Sequence, residues 1–381
     1  MAHHARGQDD TIIVNTCAVT TTAERQARQA IRRAHRERPD AKIVVTGCAS
    51  EIDAKRWMEL PGVVRVVPNA DKLKPTTWGD SKPGLPPSRH ARALLQVQQG
   101  CDHRCTFCII PYGRGDSRST PTTEAISRAR ALTEAGHREI VLTGVDIASW
   151  QGTDGEGLGR MCRTLLQDVP GIERLRLSSI DPVILDPETG DRDLWWLLEN
   201  EPRLMPHLHL SLQAGSDLIL KRMKRRHTTT QVASMLQHAR TLRPNIGVGA
   251  DLIAGFPTET DTLFNETLSF IEEQAIPFLH VFPYSERPGT PAARMPAVPN
   301  GERQARAAQL RAVGEANRDT FLERFIGQTV DVLIETPDRG HSPEFAPVRF
   351  AADASSPTRG SIVPLSIYGV SEGHLLGRNP A

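Results

Sequence analysis

The sequence has almost no net charge, few cysteines and no long apolar run. Lys and Arg together number 46 and Asp and Glu 45, leaving +1, so overall charge gives no reason to expect nucleic acid as a partner and any such case must rest on local clusters. Six cysteines in 381 residues are too few to staple a disulfide scaffold, and in a reducing compartment they remain thiols open to metals. Apolar runs such as Thr11 to Val14 and Lys42 to Val45 fall far short of the roughly 18 residues a membrane span needs. Met1 to Asp10 is polar and has no apolar stretch of the kind a secretory signal carries. These absences predict a cytoplasmic protein without a membrane partner. At 42.0 kDa the chain exceeds a single usual core, and two or three domains are expected.

The pattern along the chain is α/β. Thr11 to Val14 and Lys42 to Thr46 are short apolar strands, with a helix over Ala23 to Arg38 between them and a weaker strand at Val63 to Val67. In that helix Ala23, Ala27, Ile31 and Ala34 form an apolar stripe, with Arg25, Arg28, Arg32 and Arg36 opposite. Pro83 to Ser88 reads as a linker, which gives an N-terminal domain over 1–82 and a linker over 83–92. Over 93–317, six apolar runs alternate with helical patterns: Leu94 to Val97, Ile140 to Thr143, Leu175 to Ser178, Leu208 to Leu212, Val248 to Ile253 and Leu279 to Phe282. They predict parallel βα units closing into a partial barrel, with ligands at the C-terminal strand ends. Asp146, Ser178, Gln213 and Asp251, taken as polar groups toward the strand ends, are the candidate cofactor contacts; strand-end hydrogen bonding to backbone is the competing role for each. A helix over Gly301 to Phe325 leads to strands at Thr329 to Glu335 and Ser361 to Ile367, hence a small β domain over 318–381.

The strongest chemical signal is Cys101-Asp102-His103-Arg104-Cys105-Thr106-Phe107-Cys108, a CxxxCxxC spacing. Three thiolates can hold three irons of a [4Fe-4S] cubane and leave the fourth open. The amino and carboxylate groups of S-adenosylmethionine can chelate that iron, and one-electron reduction then breaks a C–S bond to give a 5'-deoxyadenosyl radical. Phe107 offers a face for the adenine. Structural zinc is the alternative, but it needs four closed ligands, and His103 sits too near Cys101 and Cys105 in sequence to close a tetrahedron easily. Cys162, alone in a helical pattern over Leu158 to Leu166, reads as a small buried hydrophobe.

The loop CxxxCxFC resembles the radical S-adenosylmethionine superfamily. Val14-Asn15-Thr16-Cys17-Ala18-Val19-Thr20, Thr46-Gly47-Cys48, Gln99-Gly100-Cys101, Cys108-Ile109-Ile110-Pro111 and Arg114-Gly115 with Ser117-Arg118 narrow the resemblance to the tRNA methylthiotransferases. Leu177-Ser178-Ser179-Ile180, His280 to Ser285 and Gly289-Thr290-Pro291-Ala292-Ala293 are similar to the branch that acts on N6-threonylcarbamoyladenosine beside the anticodon. The resemblance implies a partial (βα)6 radical SAM barrel, an N-terminal α/β methylthiotransferase domain and a small C-terminal TRAM-like β-barrel that grips tRNA. It also implies a second, auxiliary [4Fe-4S] cluster in the N-terminal domain, for which Cys17 and Cys48 match two of three ligands. The third would precede Cys17 by some tens of residues, so the N-terminal domain is expected to be truncated.

The reaction implied consumes two S-adenosylmethionines, one as methyl donor and one as radical source, and needs a reductant such as flavodoxin or ferredoxin. With one auxiliary ligand absent, a radical enzyme without sulfur insertion, or a non-catalytic iron–sulfur and tRNA-binding protein, are the alternatives. For tRNA, the α-helical stripe Arg25, Arg28, Arg32 and Arg36 and the run containing Lys224 and Arg225 are the expected phosphate contacts, against a solvated face as the plainer reading. The stretch from Arg318 to Ala381 has six Lys or Arg against eight Asp or Glu, which argues against a strong electrostatic grip there.

Overall fold

The computed structural model describes residues 2–4, 10–72, 74–78, 90–351 and 357–380. The expected linker at 83–92 lies outside them except for its last three residues. The chain divides into two compact units, one made of 1–86, 100–117 and 285–295 and the other of 87–99, 118–284 and 296–381.

The first unit is built on a four-stranded sheet in the order β1 (Ala2–His4), β2 (Thr11–Thr16), β3 (Lys42–Gly47), β4 (Val63–Val67). Strands β2, β3 and β4 are parallel, and β1 adds antiparallel to β2. Helix α1 (Thr21–Glu37) starts where Thr20 Oγ1 accepts the amide hydrogen of Ala23 at 3.1 Å. Its apolar stripe meets the sheet through fully buried Ile31, flanked by Ala27 and Ala34. Two short helices follow, α2 (Cys48–Ile52) and α3 (Ala54–Met58), and a third, α4 (Ile110–Arg114), packs against α2. Gly113 makes that approach possible, because a Cβ there would lie 3.1 Å from the Cβ of Cys48.

The second unit carries parallel strands in two sets: β5 (Arg92–Gln96), β8 (Glu139–Thr143) and β9 (Arg174–Leu177), then β10 (His207–Gln213), β11 (Gly247–Ala254) and β12 (Phe278–Pro283). Parallel bridges Leu175↔Leu204 and Ile180↔Leu210 link the sets into the expected open six-stranded barrel. The hairpin β6 (Gln98–Gln99) and β7 (Arg118–Ser119) is a short antiparallel pair. Helices α5 (Thr122–Glu134), α6 (Leu158–Asp168), α7 (Arg192–Asn200), α8 (Asp217–Arg222), α9 (Thr229–Leu242) and α10 (Asp261–Glu273) alternate with the strands. In α6, Leu158, Met161, Cys162, Leu165 and Leu166 are buried, the spacing of one helical face. Each large side chain so buried contributes about 1.5–3 kcal/mol. Asp191 caps α7 through Asp193 and Leu194 and also accepts from the amide of Gly159 at the start of α6.

Helix α11 (Asn300–Glu323) leads to a closed barrel of β13 (Thr329–Thr336), β14 (Arg339–His341), β15 (Pro347–Phe350), β17 (His374–Arg378) and β16 (Ile362–Ser371), in that order around the barrel. Its 342–346 loop stops the N-terminal end of the larger barrel: the guanidiniums of Arg92 and Arg176 lie over the Phe345 ring at 4.9 Å each, and His207 and His341 pack on it at 4.8 and 4.7 Å. Beneath it Glu139, with no exposed side-chain surface, accepts from Arg92 Nε at 2.7 Å and Arg176 Nε at 2.9 Å, with Arg174 at 3.8 Å. Among the described residues no helix is long and apolar enough to cross a membrane.

Candidate functional site

In the first unit, the register Thr16↔Gly47 sets the ends of β2 and β3 side by side, so the next residues, Cys17 and Cys48, emerge from adjoining strand ends. Cys17 is exposed and its sulfur accepts from the Val19 amide at 3.5 Å. Cys48 is buried at the start of α2, where Arg114 Nε donates to its sulfur at 2.8 Å. A cationic donor on a sulfur suits a thiolate, the form that binds metal.

The loop Cys101 to Cys108 belongs to the same unit and has no regular structure before α4. It is pinned by backbone contacts: the Cys101 amide donates to Gly115 O at 3.0 Å, Ala292 N to Thr106 O at 2.9 Å, and Ser117 N to Asp102 Oδ1 at 2.9 Å. Gly100 has φ +75°, and a Cβ there would fall 1.8 Å from Asp116 O, so the loop closes only on glycine. The turn from Cys105 O to the Cys108 amide, 3.0 Å, carries the last two thiols on one bend with Phe107 between them. All three cysteines and Phe107 are partly exposed, and all six cysteines of the chain are thiols.

Tetrahedral zinc, with Zn–S of about 2.3 Å, draws its sulfurs to about 3.8 Å of one another. Among the described residues, no three cysteines bring their sulfurs within 4.8 Å of one another. Three partly exposed thiols on one loop are the donor set that a [4Fe-4S] cluster with one iron left for an outside ligand calls for, whereas a closed structural zinc site needs a fourth ligand.

In the second unit, three of the four candidate contacts lie at or near strand ends, and the fourth, Asp251, lies inside its strand instead. Asp146 follows β8; its amide and that of Val145 donate to Gln98 Oε1 at 2.8 and 3.0 Å, and its carboxylate accepts from Ser149 Oγ at 2.6 Å. Ser178 follows β9, its amide bonded to Leu142 O. Gln213 ends β10 with φ +73°, where the β10–β11 register shifts. Asp251 sits within β11. Its Oδ1 lies 3.1 Å from His209 Nε2 and 3.3 Å from His280 Nδ1, and its Oδ2 accepts from Ser179 Oγ at 3.3 Å, itself 2.8 Å from Ser211 Oγ. Burial raises the Asp251 pKa, but the imidazole hydrogen bonds outweigh it and hold the carboxyl well below the carboxylate range. His209, His280, Ser179 and Ser211 were not among the sequence candidates. The signal was the period-two string His207, His209, Ser211, Gln213, a polar face alternating with buried Leu208, Leu210 and Leu212.

Among the basic candidates, Arg25, Arg32 and Arg36 are exposed on α1, whereas Arg28 is half-buried, paired with Glu24 at 3.5 Å and set over Trp57. Lys224 is exposed. Arg225 is turned inward: its side chain is 7% exposed and donates to Asp181 Oδ2 at 3.0 Å and Ser211 O at 2.8 Å, so it does not serve the expected phosphate-binding face. Cys162 is fully buried, and burial with nearby Asp191 pushes its thiol pKa far up, in keeping with a core role.

Residues 95–271 match the radical SAM superfamily, and residues 2–68 match an uncharacterized protein family, UPF0004. The fold is similar to the radical S-adenosylmethionine methyltransferase TsrM from Kitasatospora setae, solved with cobalamin and a [4Fe-4S] cluster, at a TM-score of 0.54 and 12% identity, covering 74% of this chain and 63% of that one. Fold and cysteine loop together define a radical S-adenosylmethionine protein. Over 97% of its length the chain is 42% identical to the threonylcarbamoyladenosine tRNA methylthiotransferase MtaB of Rickettsia prowazekii, covering 90% of that protein. It is 34% identical to the Bacillus subtilis protein of that name over 86% of this chain and 76% of the relative. It is also 34% identical to the tRNA-2-methylthio-N(6)-dimethylallyladenosine synthase of Cereibacter sphaeroides, over 87% of this chain and 80% of that one. The chain belongs to the threonylcarbamoyladenosine tRNA methylthiotransferase family.

Proposed function

We propose that this protein is a tRNA methylthiotransferase that inserts a methylthio group at C2 of N6-threonylcarbamoyladenosine next to the anticodon. The observation that carries the reading is the 42% identity along 97% of the chain to a relative of that name, together with the open three-thiol loop. Cys101, Cys105 and Cys108 hold the [4Fe-4S] cluster, which when bound supplies the electron that cleaves S-adenosylmethionine. Phe107 packs on the cofactor's adenine, and Asp146, Ser178 and Gln213 offer it polar groups, whereas the Asp251 carboxylate is taken up by His209, His280 and Ser179. Cys17 and Cys48 supply two thiolates to the auxiliary cluster, with Arg114 stabilising the charge on Cys48. Arg25, Arg32, Arg36 and Lys224 meet tRNA phosphates, and a cytoplasmic flavodoxin or ferredoxin supplies electrons.

The test is anaerobic reconstitution with iron and sulfide, followed by chromatography of 5'-deoxyadenosine released from S-adenosylmethionine. Cys105→Ser is expected to abolish release and the cluster's visible absorbance, and Cys162→Ser to keep both. Release undiminished in Cys105→Ser would overturn the assignment of the radical site.

A further inference from the structure

We propose that His280, held by Asp251 and flanked by His209, determines specificity by receiving the carboxylate of the substrate's N6 substituent. This rests on the threonylcarbamoyladenosine reading above.

The geometry isolates one atom. Strands β11 and β12 pair Asp251 directly with His280, and β10 brings His209 to the same carboxylate oxygen. Gly249 makes room for this, since a Cβ there would lie 2.3 Å from His209 Nδ1. The His209 and His280 rings lie 4.6 Å apart. Both oxygens of Asp251 are taken up, one by the two imidazoles and one by Ser179, so the carboxylate orients its neighbours and has little left for a ligand. The side chain of His209 is 14% exposed and that of His280 is 62% exposed. With Nδ1 committed to Asp251, Nε2 is the atom His280 presents.

The chemistry of that atom follows from its neighbour. The Asp251 hydrogen bond raises the His280 pKa from its ordinary 6.5, burial opposes this, and the Asp251 charge adds to the rise. An imidazolium presents N–H at Nε2, which calls for an acceptor, best an anionic one. The threonylcarbamoyl group ends in a carboxylate and a hydroxyl. An isopentenyl group ends in methyls and would leave the N–H unpaired, and a site built around a polar contact discriminates most strongly against such a partner. Phe345 closes the N-terminal end of the barrel below this layer, which leaves the C-terminal side for entry.

The test uses the reconstituted holoenzyme and three anticodon stem-loop RNAs that differ only at one adenosine: threonylcarbamoylated, isopentenylated or unmodified. Phosphate contacts are common to all three, so fluorescence anisotropy isolates the substituent. Wild type is expected to prefer the threonylcarbamoyl RNA, His280→Phe to lose about tenfold or more on that RNA alone, and His280→Arg to keep the preference. If wild type prefers the threonylcarbamoyl RNA and His280→Phe keeps that preference, the role of His280 is refuted while the substrate reading stands. If wild type does not distinguish the three RNAs, the substrate reading fails and this inference fails with it.

Discussion

Replacing Glu139 by Gln tests the packing of the second unit. Glu139 is the shared partner of three guanidiniums whose side chains are 19%, 5% and 3% exposed. Without its charge, Arg92 keeps Glu335 at 2.5 Å, while Arg174 and Arg176 lose their hydrogen-bonded or nearest carboxylate and are left with the carbonyls of Asp331 and Pro343, the Phe345 ring over Arg176 and the more distant Glu344. Breaking a buried pair by removing one partner costs about 3–5 kcal/mol. The amide oxygen can keep one neutral hydrogen bond of about 1 kcal/mol, leaving about 2–4 kcal/mol. At about 2–4 °C per kcal/mol for a domain of this size, the melting midpoint should fall by about 4–16 °C. Burial raises the Glu139 pKa, but the arginines outweigh burial and the net shift is downward. A depressed folded-state pKa contributes stability above the unfolded value, near 4.3, and loses it as pH falls toward the folded one. The gap between wild type and variant should therefore be constant from pH 6 to 8 and close in acid. The assay is tryptophan-fluorescence melting across pH, with Glu37→Gln in the exposed Arg33–Glu37 pair as control. A Glu139→Gln midpoint equal to that of the control would refute the reasoning.

Three further outcomes follow from single residues. Thr258 holds φ +71°, a left-handed conformation costly for a β-branched residue, pinned by Thr258 N to Pro296 O and by Arg222 to Thr258 O. Thr258→Gly relieves about 1–2 kcal/mol of strain against about 0.5–1 kcal/mol of added chain entropy, and should raise the denaturation midpoint slightly; a lower midpoint would contradict this. Asp251→Asn should return the His280 pKa toward its ordinary value, read by NMR titration of 13C-labelled histidine, and an unmoved pKa would show that Asp251 does not set it. Phe345→Ala removes the half-buried ring under Arg92 and Arg176 and should cost about 1–3 kcal/mol, less than truncation of a fully buried ring, measured by urea unfolding; an unchanged stability would mean the loop does not anchor the barrel end.

Much of this was readable in the sequence because the physics was local. The strand runs of the barrel are apolar and regularly spaced, and the cysteine loop carries its chemistry in eight consecutive residues. The missed parts depend on distant partners. Strand β1, Ala-His-His, has no apolar pattern and is held by backbone pairing to β2. The His209–Asp251–His280 group joins three strands, and its polar alternation was masked by the apolar residues between. Arg225 reads as a surface charge until Asp181, 44 positions away, draws it inward. Phe345 is a loop residue in sequence and a stopper in space.

The most direct test of the central claim is mass spectrometry of nucleosides from tRNA bearing N6-threonylcarbamoyladenosine, after incubation with the reconstituted protein, S-adenosylmethionine and a reductant. That nucleoside should be converted to its 2-methylthio derivative, with isopentenyladenosine left unchanged. Conversion of isopentenyladenosine instead, or 5'-deoxyadenosine release with no methylthiolated nucleoside, would contradict that claim.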